Sequence, residues 1–317
     1  MLEIIREISS HLDIDIKEAE LIVEKAQKGG EINDACPPDV WLKKRFLPNL
    51  VFIEEEDYAR MCIDALKILK KTAGTDYGSS RQRDMGQLWA DMTRGYLGEF
   101  AFILFLKKNW GISAWLNHEI GNLQDFLPTD IHALQKNDEE KRKPSLKISI
   151  KTAKWNGLWF DIPGDQFAHS NVHILVKAGT GRDHLFAFFK HISIFKDKIL
   201  KRAKDIGCLS HEEADDLFEK LPSFKPIAAY ICGFVKKDAH YKFLDYQGKR
   251  GLKNFTLTAW KGPIRSDDLK QIQLKQKIKG SVKFESIGEF SHENGYLFNT
   301  GSLLWQEADW KEWIDRI

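Results

Sequence analysis

Ser145-Leu-Lys-Ile-Ser-Ile-Lys-Thr-Ala-Lys154 is the stretch on which the reading of this chain turns. Leu146, Ile148 and Ile150 alternate with Ser145, Lys147, Ser149 and Lys151. A period of two marks a half-buried strand, with one face in a core and the other carrying lysines and hydroxyls. A surface strand has little need of that polar face unless it looks into a site. Upstream, Phe126-Leu-Pro-Thr-Asp130-Ile-His-Ala-Leu134 reads as the neighbouring strand, entered through a proline. Facing side chains on adjacent strands lie close together, so a carboxylate at Asp130 can meet an ammonium at Lys151.

Before these strands the spacing predicts a long helix over roughly 88–109, with Leu97, Ala101, Leu104 and Phe105 on its apolar stripe. Glu99 stands out there, inside Gly95-Tyr-Leu-Gly-Glu-Phe-Ala-Phe102. Gly95 and Gly98 weaken the helix, but they let a backbone or a substrate come close. Glu99 reads either as a solvent-facing acid or as a carboxylate aimed at a site beside the sheet. After Lys154, Asn156-Gly157 predicts a hairpin turn. Trp159–Pro163, Val172–Ala178 and His184–Lys190 predict further strands. The expected class is therefore mixed α/β, a central sheet flanked by helices.

Working outward, residues 1–50 read as two short helices and a linker. Ile4, Ile5, Ile8 and Leu12 share a helix face, Asp15 caps a second helix, and Pro37-Pro38 and Pro48 mark the connection. With no basic recognition helix visible, a packing arm is favoured over a helix-turn-helix reader. Residues 51–200 form the expected core, opening with a helix over 54–72. Residues 201–317 form a basic C-terminal region, with a helical stretch over 195–221, Ser210 as an N-cap, and strands at Ala228–Val235 and Tyr241–Tyr246 that read as a pair.

At 317 residues, 43% hydrophobic and 30% charged, the chain can bury a large core. No apolar run is long enough to span a bilayer. Four scattered cysteines, Cys36, Cys62, Cys208 and Cys232, form no CxxC pair, which argues against structural zinc and fits reduced thiols in a cytoplasmic protein. The net charge of +2 hides an asymmetry, since Lys220 to Lys283 carries fifteen Lys and Arg against four Asp and Glu. Such a stripe is either a solvated face or a grip on a polyanion such as DNA. Lys236, Lys237, Lys249, Arg250 and Lys253, with Lys154 and the Gly-rich loop arginines Arg81 and Arg83, are the candidate DNA contacts.

Glu99 on a helix, Pro128-Thr-Asp130, then Ser149-Ile-Lys151 resembles the PD-(D/E)XK nuclease superfamily, and more narrowly a type II restriction endonuclease. The resemblance covers about residues 80–190. It implies Mg²⁺-dependent hydrolysis of double-stranded DNA, usually by a homodimer, with Asp130 and Glu99 as metal ligands and Lys151 as the catalytic lysine. Ser149 departs from the pattern, because an acid is expected two residues before the lysine. Glu99, Asp161 or Asp165 can supply the missing carboxylate, and Glu99 is preferred. A register shifted to Ser145 and Lys147 leaves the same gap. Two further readings stay open: a nuclease that recognises branched or damaged DNA by shape, and a DNA-binding protein that has lost cleavage.

Overall fold

A computed structural model describes residues 1–69, 84–117, 129–137, 139–181, 184–239, 241–243, 245–260, 262–285, 295–314 and 316. In chain order, α1 (Leu2–Leu12) and α2 (Ile16–Lys28) are followed by α3 (Pro38–Val40), β1 (Leu50–Ile53) and α4 (Glu55–Leu69). The central stretch runs α5 (Met85–Trp110), β2 (Ile112–Leu116), β3 (Ile131–Lys136), β4 (Ile148–Lys154), β5 (Trp159–Ile162), α6 (Gly164–His169) and β6 (Val172–Ala178). Helices α7 (His184–His191), α8 (Lys201–Asp205) and α9 (His211–Lys220) lead to β7 (Ile227–Lys236), β8 (Tyr246–Arg250) and β9 (Phe255–Trp260). The chain then forms α10 (Ser266–Lys275), β10 (Val282–Phe284), β11 (Tyr296–Asn299) and α11 (Glu307–Ile314).

Local chemistry explains the helix ends. The Asp15 carboxylate accepts the Glu18 N–H at 2.9 Å and starts α2. The Asp84 carboxylate does the same for Gln87 at 2.8 Å and starts α5, which stops at Gly111 with φ of 66°. Ser210 and Glu213 form a capping box at the head of α9.

The central sheet has the order β1-β7-β6-β4. β4 and β6 are parallel, joined through β5 and α6, while β7 runs antiparallel to both β6 and β1. One face is covered by α5, whose Leu97, Ala101, Phe102 and Phe105 share a core with Ile148, Ile150, Ile174 and Ile231. Trp310 and Trp313 of α11 complete that layer, Trp313 stacking on Phe102 at 6.2 Å. The other face is covered by the N-terminal module, where Ile8, Ile22, Trp41 and Phe46 pack with Leu175, Tyr230 and Cys232. Strands β6 and β7 are covered on both faces, which explains their near-continuous apolar sequence. The result is the mixed α/β class expected from the sequence.

Several local expectations give way. His184–Lys190 is a helix, α7, rather than a strand; a short apolar run satisfies both patterns. β7 does not pair with the 241–246 stretch; it lies between β1 and β6, and Tyr246 opens β8, which pairs with β9. Asn156-Gly157 makes a turn but no β4–β5 hairpin, because β5 pairs with β11. The helical stretch before residue 221 is broken by Gly207, which has φ of 73°.

The basic C-terminal region divides. β7 belongs to the central sheet, so the core takes a strand from beyond residue 200. β8, β9 and β10 form a separate three-stranded sheet. Phe255, Leu257, Trp260, Ile272 and Phe284 give it a small core of its own. Among the described residues no helix is long and apolar enough to cross a membrane.

Candidate active site

The site begins where α5 crosses β4. Thr152 Oγ1 donates to the Gly95 carbonyl at 3.1 Å. A Cβ added at Gly98 would run into the Thr152 hydroxyl, so helix and strand touch without an intervening side chain. Glu99 follows directly. The two small residues therefore set the helix down on the strand and bring this carboxylate to its edge.

The second carboxylate arrives through the turn before β3. The Asp130 N–H donates to the Ile148 carbonyl at 2.8 Å, and Thr129 Oγ1 accepts the Ile148 N–H at 3.2 Å. Beyond that point β3 leaves β4 and pairs with β2. The Asp130 carboxylate fills the gap and accepts the Ile150 N–H at 2.6 Å. Asp130 thus sits just before a strand rather than within one, and it occupies the notch that two diverging strands open.

Glu99, Asp130 and Lys151 act on one another electrically. Burial, then the charge of Asp130, pushes the Glu99 carboxyl well above its ordinary range, and Lys151 pulls against that. Burial also raises Asp130, opposed first by the Ile150 N–H and then by Lys151. Both carboxyls are hemmed in by protein while keeping part of their surface open. Two carboxylates and one ammonium leave the notch short of positive charge. Hard oxygen donors in such a deficit fit Mg²⁺, which takes few protein ligands and keeps its waters. Among the described residues no group of three or more His, Cys, Asp or Glu side chains is placed to hold a metal ion.

Ser149 lies on the same strand side as Lys151, opposite the α5-facing Ile148 and Ile150. The residue is buried and stands in strand register with His173 of β6. His173 was not singled out by sequence, although a histidine inside Val172-His-Ile-Leu-Val176 is a visible oddity. It is fully buried and stacks under Phe167 at 5.2 Å. Burial lowers its pKa to about 4, the Phe167 backbone opposing the shift and the charges of Lys151 and Lys237 adding to it, so the ring is neutral.

Of the acids considered as replacements at the Ser149 position, Glu99 is the one in electrical contact with Asp130 and Lys151. Asp161 is exposed on β5, in register with Leu297 in another sheet. The Asp165 side chain lies outside the described residues. Among the candidate DNA contacts, Lys154 is exposed at the end of β4, and Lys249, Arg250 and Lys253 are exposed along β8 and its turn. Two others are engaged internally: Lys236 pairs with Glu312 at 2.8 Å, and Lys237 donates to the Ala168 carbonyl. Arg81 and Arg83 lie outside the described residues.

A second charged cluster joins the N-terminal module to the sheet. Glu31 Oε1 accepts from Lys177 at 2.7 Å, and Oε2 accepts from Tyr230 at 2.9 Å and Trp41 at 3.1 Å. Arg45 donates to the carbonyls of Cys232 at 3.1 Å and Thr300 at 2.8 Å, with its guanidinium over the Trp305 ring. Despite complete burial, the charges of Lys177 and Arg45 hold the Glu31 carboxyl down at about 2. Sequence reading passed over these residues, though a lysine inside the apolar run of β6 is a signal that a buried counter-charge exists.

No family model matches this chain, and no curated protein or solved structure matches it either.

Proposed function

We propose that the protein is a Mg²⁺-dependent, sequence-specific endonuclease of double-stranded DNA, similar to type II restriction enzymes, acting in the cytoplasm as a homodimer. What supports the reading is the electrical influence of Glu99, Asp130 and Lys151 on one another beside the open edge of β4, with Lys151 on the strand face opposite α5. The order helix, strand, strand, strand, helix, strand from α5 to β6, with β5 inserted, also suits the nuclease family that the motif resembles.

Glu99 and Asp130 would hold the cation, which when bound offsets the negative charge of the scissile phosphate. Asp130 is pre-aimed by its bond from Ile150, so its carboxylate needs no reorganisation on binding. The Lys151 ammonium orients the attacking water and donates to the phosphoryl oxygen as charge builds there. Water oxygen bonds to phosphorus, the opposite P–O bond breaks, the attacking water gives a proton to solvent, and the departing sugar oxygen takes one up from solvent to leave as a hydroxyl. Neutral His173, in register with Ser149, adds no second positive charge, so the lysine stays the local donor. Two-fold pairing of protomers would cut both strands.

The test is phage DNA incubated with and without Mg²⁺, with fragment ends sequenced. Discrete bands with one end sequence are expected. Lys151→Ala is expected to lose roughly a hundred- to a thousand-fold in cleavage while still retaining DNA. Cutting by that variant at the parental rate removes the assignment. Preferential cutting of branched substrates moves the reading to a junction or repair nuclease. The hydroxyl at Ser149 favours one competing reading, a DNA-binding protein without cleavage, which predicts salt-sensitive retention and no metal-dependent product.

A further inference from the structure

At the turn between β8 and β9 the chain exposes a side chain that no core requires. Leu252 has 107% of its reference surface in solvent. Arg250 pairs with Phe255, and the Gly251 N–H donates to the Asn254 carbonyl at 2.8 Å, so Leu252 and Lys253 form the apex of a tight hairpin.

The apex is buttressed rather than loose. The Gly280 N–H donates to the Lys253 carbonyl at 2.8 Å, and the Ser281 N–H donates to Asn254 Oδ1 at 3.0 Å. A Cβ at Gly280 would collide with Asn254 Oδ1, so the 277–281 segment lies directly on the turn. Arg250 donates to the Lys277 carbonyl, tying that segment to β8.

The charge around the leucine has one sign. Lys249, Arg250, Lys253, Lys277 and Lys279 are all exposed. Neither 246–255 nor 275–283 contains an Asp or Glu. Basic residues on β8, which is an edge strand, guard against unwanted pairing. That role explains the lysines and not a bare leucine at the tip. A stiff ribbon ending in one apolar side chain ringed by cations has the build of a wedge that enters stacked bases between two phosphate backbones.

We propose that Leu252 inserts between base pairs of duplex DNA while the five surrounding cations hold the flanking phosphates. This rests on DNA being the partner of the protein. An anionic membrane presents similar charge, but stable membrane anchoring calls for a second signal or a broad apolar face, and the apex offers a single leucine.

Unstacking a base step unwinds the duplex, and this can be read without knowing the recognition sequence. The full-length protein is bound to closed circular plasmid in metal-free buffer, the plasmid is relaxed with a metal-independent topoisomerase, and topoisomers are resolved after protein removal. The parent is expected to shift the distribution. Leu252→Ala is expected to lose the shift while its filter-retention affinity stays within about threefold of the parent; a triple alanine variant of Lys249, Arg250 and Lys253 is expected to bind at least about tenfold more weakly at 150 mM salt, with a flatter salt dependence. Because Leu252 touches solvent only, an unchanged melting temperature shows that the fold is intact.

An equal shift from Leu252→Ala overturns the wedge, as does a DNA-bound parent that gives no shift. Failure of the parent to retain DNA at all removes the DNA reading together with the wedge. Leu252-dependent pelleting with phosphatidylserine–phosphatidylcholine vesicles, in place of a Leu252-dependent shift, assigns the tip to membranes and also overturns it.

Discussion

Two charged clusters stand on neighbouring strands of one sheet and are built to opposite rules. Around Glu31 both carboxylate oxygens are satisfied, by Lys177 on one side and Tyr230 and Trp41 on the other, and the acid stays ionised at about 2. Around Lys151 two carboxylates share one ammonium, and both are pushed upward. Burial is common to both, so burial does not decide the outcome. The balance of charge does. A saturated cluster fixes the fold; a cluster left short of positive charge holds free energy that a bound cation can release.

The comparison breaks most visibly at Glu31. Glu31→Gln strands Lys177 and Arg45 in the interior, at a cost of about 3–5 kcal/mol. Thermal denaturation at pH 7 should show Tm lower by on the order of 10 °C. The deficit has a pH signature. A depressed folded-state pKa means that Glu31 stabilises above the ordinary carboxyl value of 4.5 and loses that contribution as pH falls toward about 2. Parent and variant curves should converge across that window. Parallel curves would show that the ion pair is not what stabilises the junction.

A smaller effect is expected at Gly98. Gly98→Ala forces α5 away from Thr152 and costs about 1–3 kcal/mol of overpacking. Because Glu99 rides on the same turn, cleavage should fall further than the stability loss explains. Assays well below the variant's Tm separate the two. Normal cleavage by a destabilised variant would show that the contact is structural only.

The smallest effect carries the opposite sign. Glu99→Gln removes a carboxylate whose raised pKa makes its ionised form a burden on the folded state. At pH 8 the variant should melt a few degrees higher than the parent, since roughly each kcal/mol moves Tm by 2–4 °C in a domain of comparable size. A raised folded-state pKa gives stability that is present at low pH and lost as pH rises, so the advantage should shrink as pH is lowered toward 4.5. Millimolar Mg²⁺ should raise the parent's Tm and leave the variant's nearly unmoved. A variant less stable than the parent at pH 8 would show that the notch is not strained.

These clusters also mark how far sequence carries. Glu99, Asp130 and Lys151 were legible because each breaks a pattern: an acid on an apolar helix, an acid after proline, a lysine on an alternating strand. Helices α1, α2 and α5 were legible from 3.6-residue spacing and from caps such as Asp15. The strand order was not, because β7 finds its partners more than fifty residues back, and nothing local names them. His184–Lys190 failed because a short apolar run suits a buried strand and a helix equally. Glu31 and Arg45 failed for a different reason. A buried charge reads like a surface charge until its partner is known, and here Lys177 lies 146 residues away.

The place of β7 has a consequence for how the protein is made. It is synthesised after β1, β4 and β6 yet sits between β1 and β6. A nascent chain leaving the ribosome before Ile227 exposes two unfilled strand edges and lacks the Tyr230 hydroxyl that Glu31 awaits. The notch at β4 therefore rests on a sheet that stays incomplete until translation is well advanced.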